Sequence, residues 1–224
     1  IKFIMSKKVK SSTLTIEEQY KRKTLHEHVL AEPDTYIGSI QCDTLNLYTY
    51  DSEDRKITRK DQEVVLGLYK IFDEILVNAA DNTVRDNKCN IIKVNINKER
   101  GEIQVYNNGQ TIAVAMHNDE KVYVPEMVFG SLLTSGNYDQ KGKTVGGKNG
   151  MGATCANIYS EYFDIEIVDK IRNKKYYQRF SDNMYSKTEP IITDAPKNAE
   201  PYIRITFLPD YKKLCVYMVQ HFLE

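Results

Sequence analysis

Glu74, Asn78 and Asn82 lie four residues apart, the spacing that lines three side chains along one face of an α-helix. Asparagine disfavours a helix interior because its amide competes for the backbone, so two on one line propose a wet cleft. The plain alternative is an ordinary exposed face. In a cleft, Glu74 can act as a general base and Asn78 can offer a neutral oxygen to Mg²⁺, which keeps water and phosphate as its other ligands. Asp73 and Asp81 sit about 100° round the helix from Glu74 and Asn82 and read as solvated or structural.

Two further stretches carry chemistry. Residues Gly142 to Asn157 read GKTVGGKNGMGATCAN, with Gly146, Gly147, Gly150 and Gly152 flanking Lys148 and Asn149. Glycine weakens helix and strand alike, so a dense run needs a reason: positive φ, or close backbone approach to a ligand. A helix opening near Met151 would direct free N–H groups at an anion; otherwise the run is a flexible loop. Gly142-Lys143-Thr144 imitates the end of a P-loop, but that pattern needs glycine where Asn137 stands, and Gly136 is one residue too far. In Asn107-Asn108-Gly109, an amide that both donates and accepts can read an adenine edge, the alternative being an Asn-Gly turn.

The elements that must position these groups follow from periodicity. Ile71, Phe72, Ile75, Leu76, Ala79 and Ala80 predict a long amphipathic helix from about Gly67 to Arg85. Ile91 to Asn97 and Glu102 to Asn107 predict a β-hairpin, and Pro125 to Leu133 a short helix. Thr134 to Lys148 is polar and lid-like. Phe163 to Val168, Lys175 to Phe180, Ile203 to Leu208 and Leu214 to Val219 read as strands. Upstream, Leu45 to Tyr50 reads as a strand and the charged Asp51 to Gln62 as a solvated hairpin or loop. Thr15 and Glu18 have capping-box spacing, and Leu25, His28 and Val29 form a short amphipathic turn ended by Pro33. This order predicts an α+β two-layer sandwich, a mixed and mostly antiparallel sheet with helices over one face, and excludes a βαβ repeat.

Composition narrows the function class. Lysine plus arginine and aspartate plus glutamate balance at 31 each, so no global field attracts nucleic acid or a membrane. No apolar run approaches membrane-spanning length, and the expectation is a protein that neither enters a membrane nor is secreted. Cys42, Cys89, Cys155 and Cys215 fit no metal spacing and are expected as free thiols.

Taken in order, the Glu74 helix, the NNG turn and GGKNGMGA resemble the N-terminal ATPase region of type IIA DNA topoisomerases of the eukaryotic, possibly viral, kind. That region belongs to the gyrase, Hsp90, histidine kinase and MutL superfamily. The segments YKRKTLHEHVLAEPDTYIGS from Tyr20, IFDEILVNAADNTVRD from Ile71, VYVPEMVFGSLLTSGNYD from Val122 and VGGKNGMGATCANIYS ending at Ser160 carry the match. The resemblance implies a Bergerat-type ATP-binding fold over residues 25–224, preceded by an arm over residues 1–24 and truncated before or at the start of a transducer domain. It implies Glu74 as the base, Asn78 as the Mg²⁺ ligand, Asn82 near phosphate and Asn107 on adenine. Ser135, Gly136 and Asn137 would meet ribose and phosphate. Lys148, Asn149, Gly150, Met151, Gly152 and Ala153 would cradle the phosphates, and Tyr20 would reach the nucleotide of a dimer partner. ATP and Mg²⁺ are the implied cofactors. The implied partners are a second copy, joined through the arm when ATP binds, and double-stranded DNA held by the full-length protein. The implied location is the nucleus, or the cytoplasm if viral.

Four departures stand against the family pattern: Thr111 for glycine, Ala113 for proline, Thr154 for a phosphate-contacting lysine and Gly136 for serine. Met151 replaces a tyrosine. The expected consequences are a loop that avoids or strains for positive φ at Thr111, and one cation fewer near the phosphates at Thr154. The transducer's lysine is unmatched, so the chain alone is expected to bind ATP but hydrolyse it poorly. Alternatives are a MutL-like or Hsp90-like ATPase and a catalytically weak nucleotide-binding module.

Overall fold

The computed structural model describes Ile16, residues 22–133 and residues 150–215. Helix α1 (Leu25–Ala31) begins where Thr24 accepts a hydrogen bond from the Glu27 backbone N–H while the Glu27 carboxylate accepts from the Thr24 N–H. That reciprocal box satisfies two N–H groups that a helix start leaves open. The box expected at Thr15 and Glu18 lies outside the described residues. Pro33 does more than end α1: it opens the one-turn helix α2 (Pro33–Tyr36), where its fixed φ fits and its missing N–H costs nothing.

Strands β1 (Cys42–Asp51) and β2 (Lys56–Val65) form a separate two-stranded ribbon, paired from Cys42↔Val65 to Asp51↔Lys56. Its turn is closed by Asp51 Oδ1, which accepts from the N–H groups of Glu53 and Asp54. The charged segment expected as a solvated hairpin or loop is a hairpin, with its turn after Asp51 and its second strand from Lys56 onward. Most of this ribbon is solvent-exposed, so no apolar alternation announces the second strand.

Helix α3 (Leu66–Arg85) follows directly and buries Ile71, Ile75 and Ala79. The main sheet then assembles from β3 (Ile92–Asn97), β4 (Glu102–Asn108), β5 (Ser160–Asp169), β6 (Lys174–Ser181), β7 (Ser186–Lys187), β8 (Ile191–Asp194) and β9 (Tyr202–Pro209). Its order is β3-β4-β9-β5-β6-β7, with β8 pairing to β6, and every pairing is antiparallel. Two short helices, α4 (Val124–Gly130) and α5 (Gly152–Ile158), join α3 on one face.

Strand alternation explains the two layers. Ile103, Val105, Phe163, Ile165, Ile167, Ile205 and Phe207 are buried in the core they share with the helices. The intervening residues form a polar lattice on the other face, including Arg179–Asp164 at 2.6 Å and Arg204–Glu166 at 2.8 Å. Phe163 stands at the centre, its ring 6.0 Å from those of both Phe129 and Phe207. Leu214, expected in a strand, is instead fully buried from the turn after β9, where its N–H donates to the Asp210 carbonyl. Residues 216–219 of that expected strand lie outside the described residues. All four cysteines are free, and no described helix is long and apolar enough to cross a membrane.

Replacing Phe163 by alanine removes the ring on which both layers close. The expected cost is about 3–5 kcal/mol of unfolding free energy. Urea denaturation of Phe163→Ala checks this, and an unchanged midpoint would refute the placement.

Candidate active site

The site forms where α3 meets the start of α5. Gly150 has φ 62°, a conformation that favours glycine, and Met151 occupies the helix N-cap without a side-chain hydrogen bond. The expected helix start near Met151 is therefore present. The first turn of α5 leaves backbone N–H groups unpaired within the helix. Met151 packs its side chain on the core, so its backbone is what it offers here.

Gly152 faces Glu74. A Cβ added at position 152 would come 1.7 Å from Glu74 Oε2 and 2.4 Å from its carboxyl carbon. A side chain here would displace the Glu74 carboxylate, so the glycine permits the close approach. The other carboxylate oxygen, Oε1, lies 2.5 Å from Lys70 Nζ, one helical turn upstream. One carboxylate oxygen thus faces the Gly152 backbone and the other faces Lys70. The Glu74 carboxylate raises the Lys70 pKa above the usual lysine value, so on the alkaline side the pair persists until pH rises through that raised pKa. Cys155, buried on α5, is pushed up to about 12 by burial and then by the Glu74 charge, so it remains a neutral thiol beside the carboxylate.

Asn78 lies half-buried on α3, one turn beyond Glu74, and its amide makes no hydrogen bond among the described residues. Asn82, a further turn on, is buried and donates to the Gln110 carbonyl at 2.9 Å and to the Asn108 carbonyl at 3.4 Å. Asn107 is buried at the end of β4, and its Nδ2 donates to the same Asn108 carbonyl at 3.1 Å. One backbone carbonyl thus ties the helix stripe to the NNG turn. The polar stripe is half-buried at Glu74 and Asn78 and buried at Asn82, so it is not an open outward face. Gly109 turns the chain with φ 94°, and the Gln110 N–H donates to Asp86 at 2.6 Å.

The expected departures take physical form. Neither Thr111 nor Ala113 has positive φ, so the loop avoids the conformation instead of straining for it. The loop is held from the sheet, where the buried Asp169 carboxylate accepts from the Val114 N–H at 2.9 Å. Thr154 is fully buried and its hydroxyl donates to the Ser131 carbonyl at 3.2 Å. The threonine at this position therefore alters packing between α4 and α5, and not only the charge near a ligand.

Glu74, Gly152, Met151 and Ala153 are brought together, as are Asn82 and Asn107, with Asn78 between the two groups on α3. Tyr20, Ser135, Gly136, Asn137, Lys148 and Asn149 lie outside the described residues. Lys70 escaped sequence reasoning because a Lys–Glu pair at i, i+4 is a common helix-surface pattern. Cys89 escaped it because its significance is spatial. It is buried beneath Asn107, and burial raises its thiol pKa. Among the described residues no group of three His, Cys, Asp or Glu side chains converges, so a hard cation here would rest on Asn78 and on oxygens of a ligand.

Residues 63–183 match the family model for histidine kinase-, DNA gyrase B- and HSP90-like ATPases. The chain belongs to this family. Within it, the chain is 52% identical over 216 residues to the DNA topoisomerase 2 of Acanthamoeba polyphaga mimivirus, covering 93% of this chain and 17% of that protein. It is 52% identical over 200 residues to the pea (Pisum sativum) DNA topoisomerase 2, covering 89% of this chain and 14% of that one. The chain therefore spans about a sixth of the length of these relatives. The fold superimposes on the ATPase region of Saccharomyces cerevisiae topoisomerase II with a TM-score of 0.86 and 44% identity, over 89% of this chain and 53% of that one. For the ATPase and transducer domains of Balamuthia mandrillaris DNA topoisomerase II the values are 0.89 and 45%, over 92% and 53%. The chain is thus an ATPase-family domain homologous to the N-terminal ATPase region of DNA topoisomerase II, with the Bergerat-type sheet and one-sided helices that this implies.

Two substitutions test the geometry. Gly152→Ala must push the Glu74 carboxylate aside, and is expected to lower ATP turnover at least tenfold with the fold retained by circular dichroism. Lys70→Met frees Glu74 Oε1 and is expected to lower turnover while leaving nucleotide affinity within about twofold. Unchanged steady-state rates in both variants would show that the position of Glu74 does not matter.

Proposed function

We propose that the chain binds ATP with Mg²⁺ and supplies the hydrolytic chemistry of a longer DNA topoisomerase II-type protein. The observation that carries this is the Gly152 backbone set against the Glu74 carboxylate, a base held beside an open helix start. Asn107 would receive the adenine, Asn82 would border the phosphates, and the backbone from Lys148 to Ala153 would cradle them, with Ser135, Gly136 and Asn137 near ribose and phosphate. Glu74 accepts a proton from water as the water oxygen bonds the terminal phosphorus and the bridging P–O bond breaks, giving ADP and inorganic phosphate. Asn78 has an uncommitted amide oxygen and fits a Mg²⁺ ligand; the ion, when bound, offsets phosphate charge.

Turnover is expected to be slow for this chain alone and faster in a protein of the solved relatives' length. The solved relatives are about twice as long as the matched region, and one is described as ATPase plus transducer domains. In the longer protein, ATP acts as a conformational ligand bound better by a closed dimer, with Tyr20 in the N-terminal arm reaching the partner's nucleotide. Closure would capture one DNA duplex for passage through another. Such a protein works in the nucleus, or in the cytoplasm if its source is a virus. A catalytically weak nucleotide-binding module is the second reading, favoured by Thr154, whose buried hydroxyl is spent on the Ser131 carbonyl and brings no charge to the phosphates.

The test uses the longer protein. Glu74→Gln is expected to keep ATP affinity and lose about 10²–10⁴-fold in turnover, while Asn78→Ala loses the Mg²⁺ dependence of binding. Absence of Mg²⁺-dependent ATP binding in the wild type would sink the proposal. Binding without any hydrolysis, in the wild type as in Glu74→Gln, would favour the module.

A further inference from the structure

A thiol with no part in the hydrolytic step lies beneath the base-reading asparagine. Cys89 is buried between α3 and β3. Its Cβ packs on the NNG turn, where a Cβ added at Gly109 would be only 2.6 Å away. Its Sγ lies 3.8 Å from Asn107 Nδ2, within reach of a weak N–H···S hydrogen bond. The same Nδ2 is 3.1 Å from the Asn108 carbonyl oxygen. A carbonyl only accepts, so the amide atom facing it must be nitrogen; turned the other way, two oxygens would meet. Both amide hydrogens of Asn107 are therefore directed at protein acceptors. Oδ1 is the atom left for a ligand, and no donor among the described residues reaches it. Asn82 repeats the pattern, since its Nδ2 is committed to the carbonyls of Asn108 and Gln110.

We propose that Cys89 is a positioning residue for base recognition: with the Asn108 carbonyl, it locks the Asn107 amide so that the pocket wall offers an acceptor and no donor. Such a wall takes a purine with an exocyclic amine at C6. It rejects a 6-oxo purine, whose oxygen would face Asn107 Oδ1 lone pair to lone pair. This inference rests on the ATP reading above and adds to it the group that sets the base preference.

The test compares ATP with ITP, its 6-oxo counterpart, in equilibrium binding to the wild type, Cys89→Ala and Cys89→Ser. Alanine keeps the Cβ that packs on Gly109 and removes only the acceptor, while serine restores an acceptor. The wild type is expected to prefer ATP by roughly tenfold or more. Cys89→Ala is expected to narrow that preference by about threefold, and Cys89→Ser to recover most of it. A purely structural thiol would change both affinities together and leave the ratio alone. Equal loss for ATP and ITP in Cys89→Ala, no rescue by serine, or a wild type that does not distinguish the two overturns the inference by itself. A wild type that binds neither nucleotide overturns the ATP reading as well.

Discussion

The approach of Gly152 to Glu74 is the constraint on which the rest of the site depends. A backbone can lie this close to a carboxylate only where there is no Cβ, and an added Cβ here would fall 1.7 Å from Oε2. That contact fixes the start of α5 against the middle of α3. It thereby fixes where the unpaired N–H groups of α5 lie relative to Glu74. Lys70 lies against the opposite oxygen and favours this orientation of the carboxylate.

The packing of the two layers serves this contact. Ile71, Ile75 and Ala79 press α3 onto the sheet, and the fully buried run from Thr154 to Ile158 does the same for α5. Hydrogen bonds from Thr154 to the Ser131 carbonyl and from Asn157 to the Phe129 carbonyl clamp α5 to the end of α4. The far end of the cleft is set separately by the Asn108 carbonyl, which collects donors from Asn82 and Asn107. Two rigid ends on one helix, with Asn78 between them, make a site whose spacing is decided by α3 itself.

Much of this was legible in the sequence, for physical reasons. Helix α3 combines an apolar stripe with a polar one, and only a helix at a wet boundary needs both. Gly150, Gly152 and the NNG turn stood out because each violates local propensity, and there the backbone has positive φ or approaches a side chain closely. Strand β2 was legible only as one of two alternatives, hairpin or loop, because an exposed ribbon has no alternation to read. Lys70 and Cys89 were hidden for a different reason. One looks like a routine helix-surface pair, and the other gains its role from Asn107, eighteen residues later. Thr154 was legible as a departure but not as a buried hydrogen-bond donor, since charge is visible in a sequence and burial is not.

The most direct measurement is a structure of the chain with Mg²⁺ and a non-hydrolysable ATP analogue. The account predicts the 6-amino group on Asn107 Oδ1, the metal on Asn78, and the terminal phosphate at the start of α5 within a water's reach of Glu74. A nucleotide bound elsewhere, or one that turns the Asn107 amide away from the Asn108 carbonyl, would contradict it.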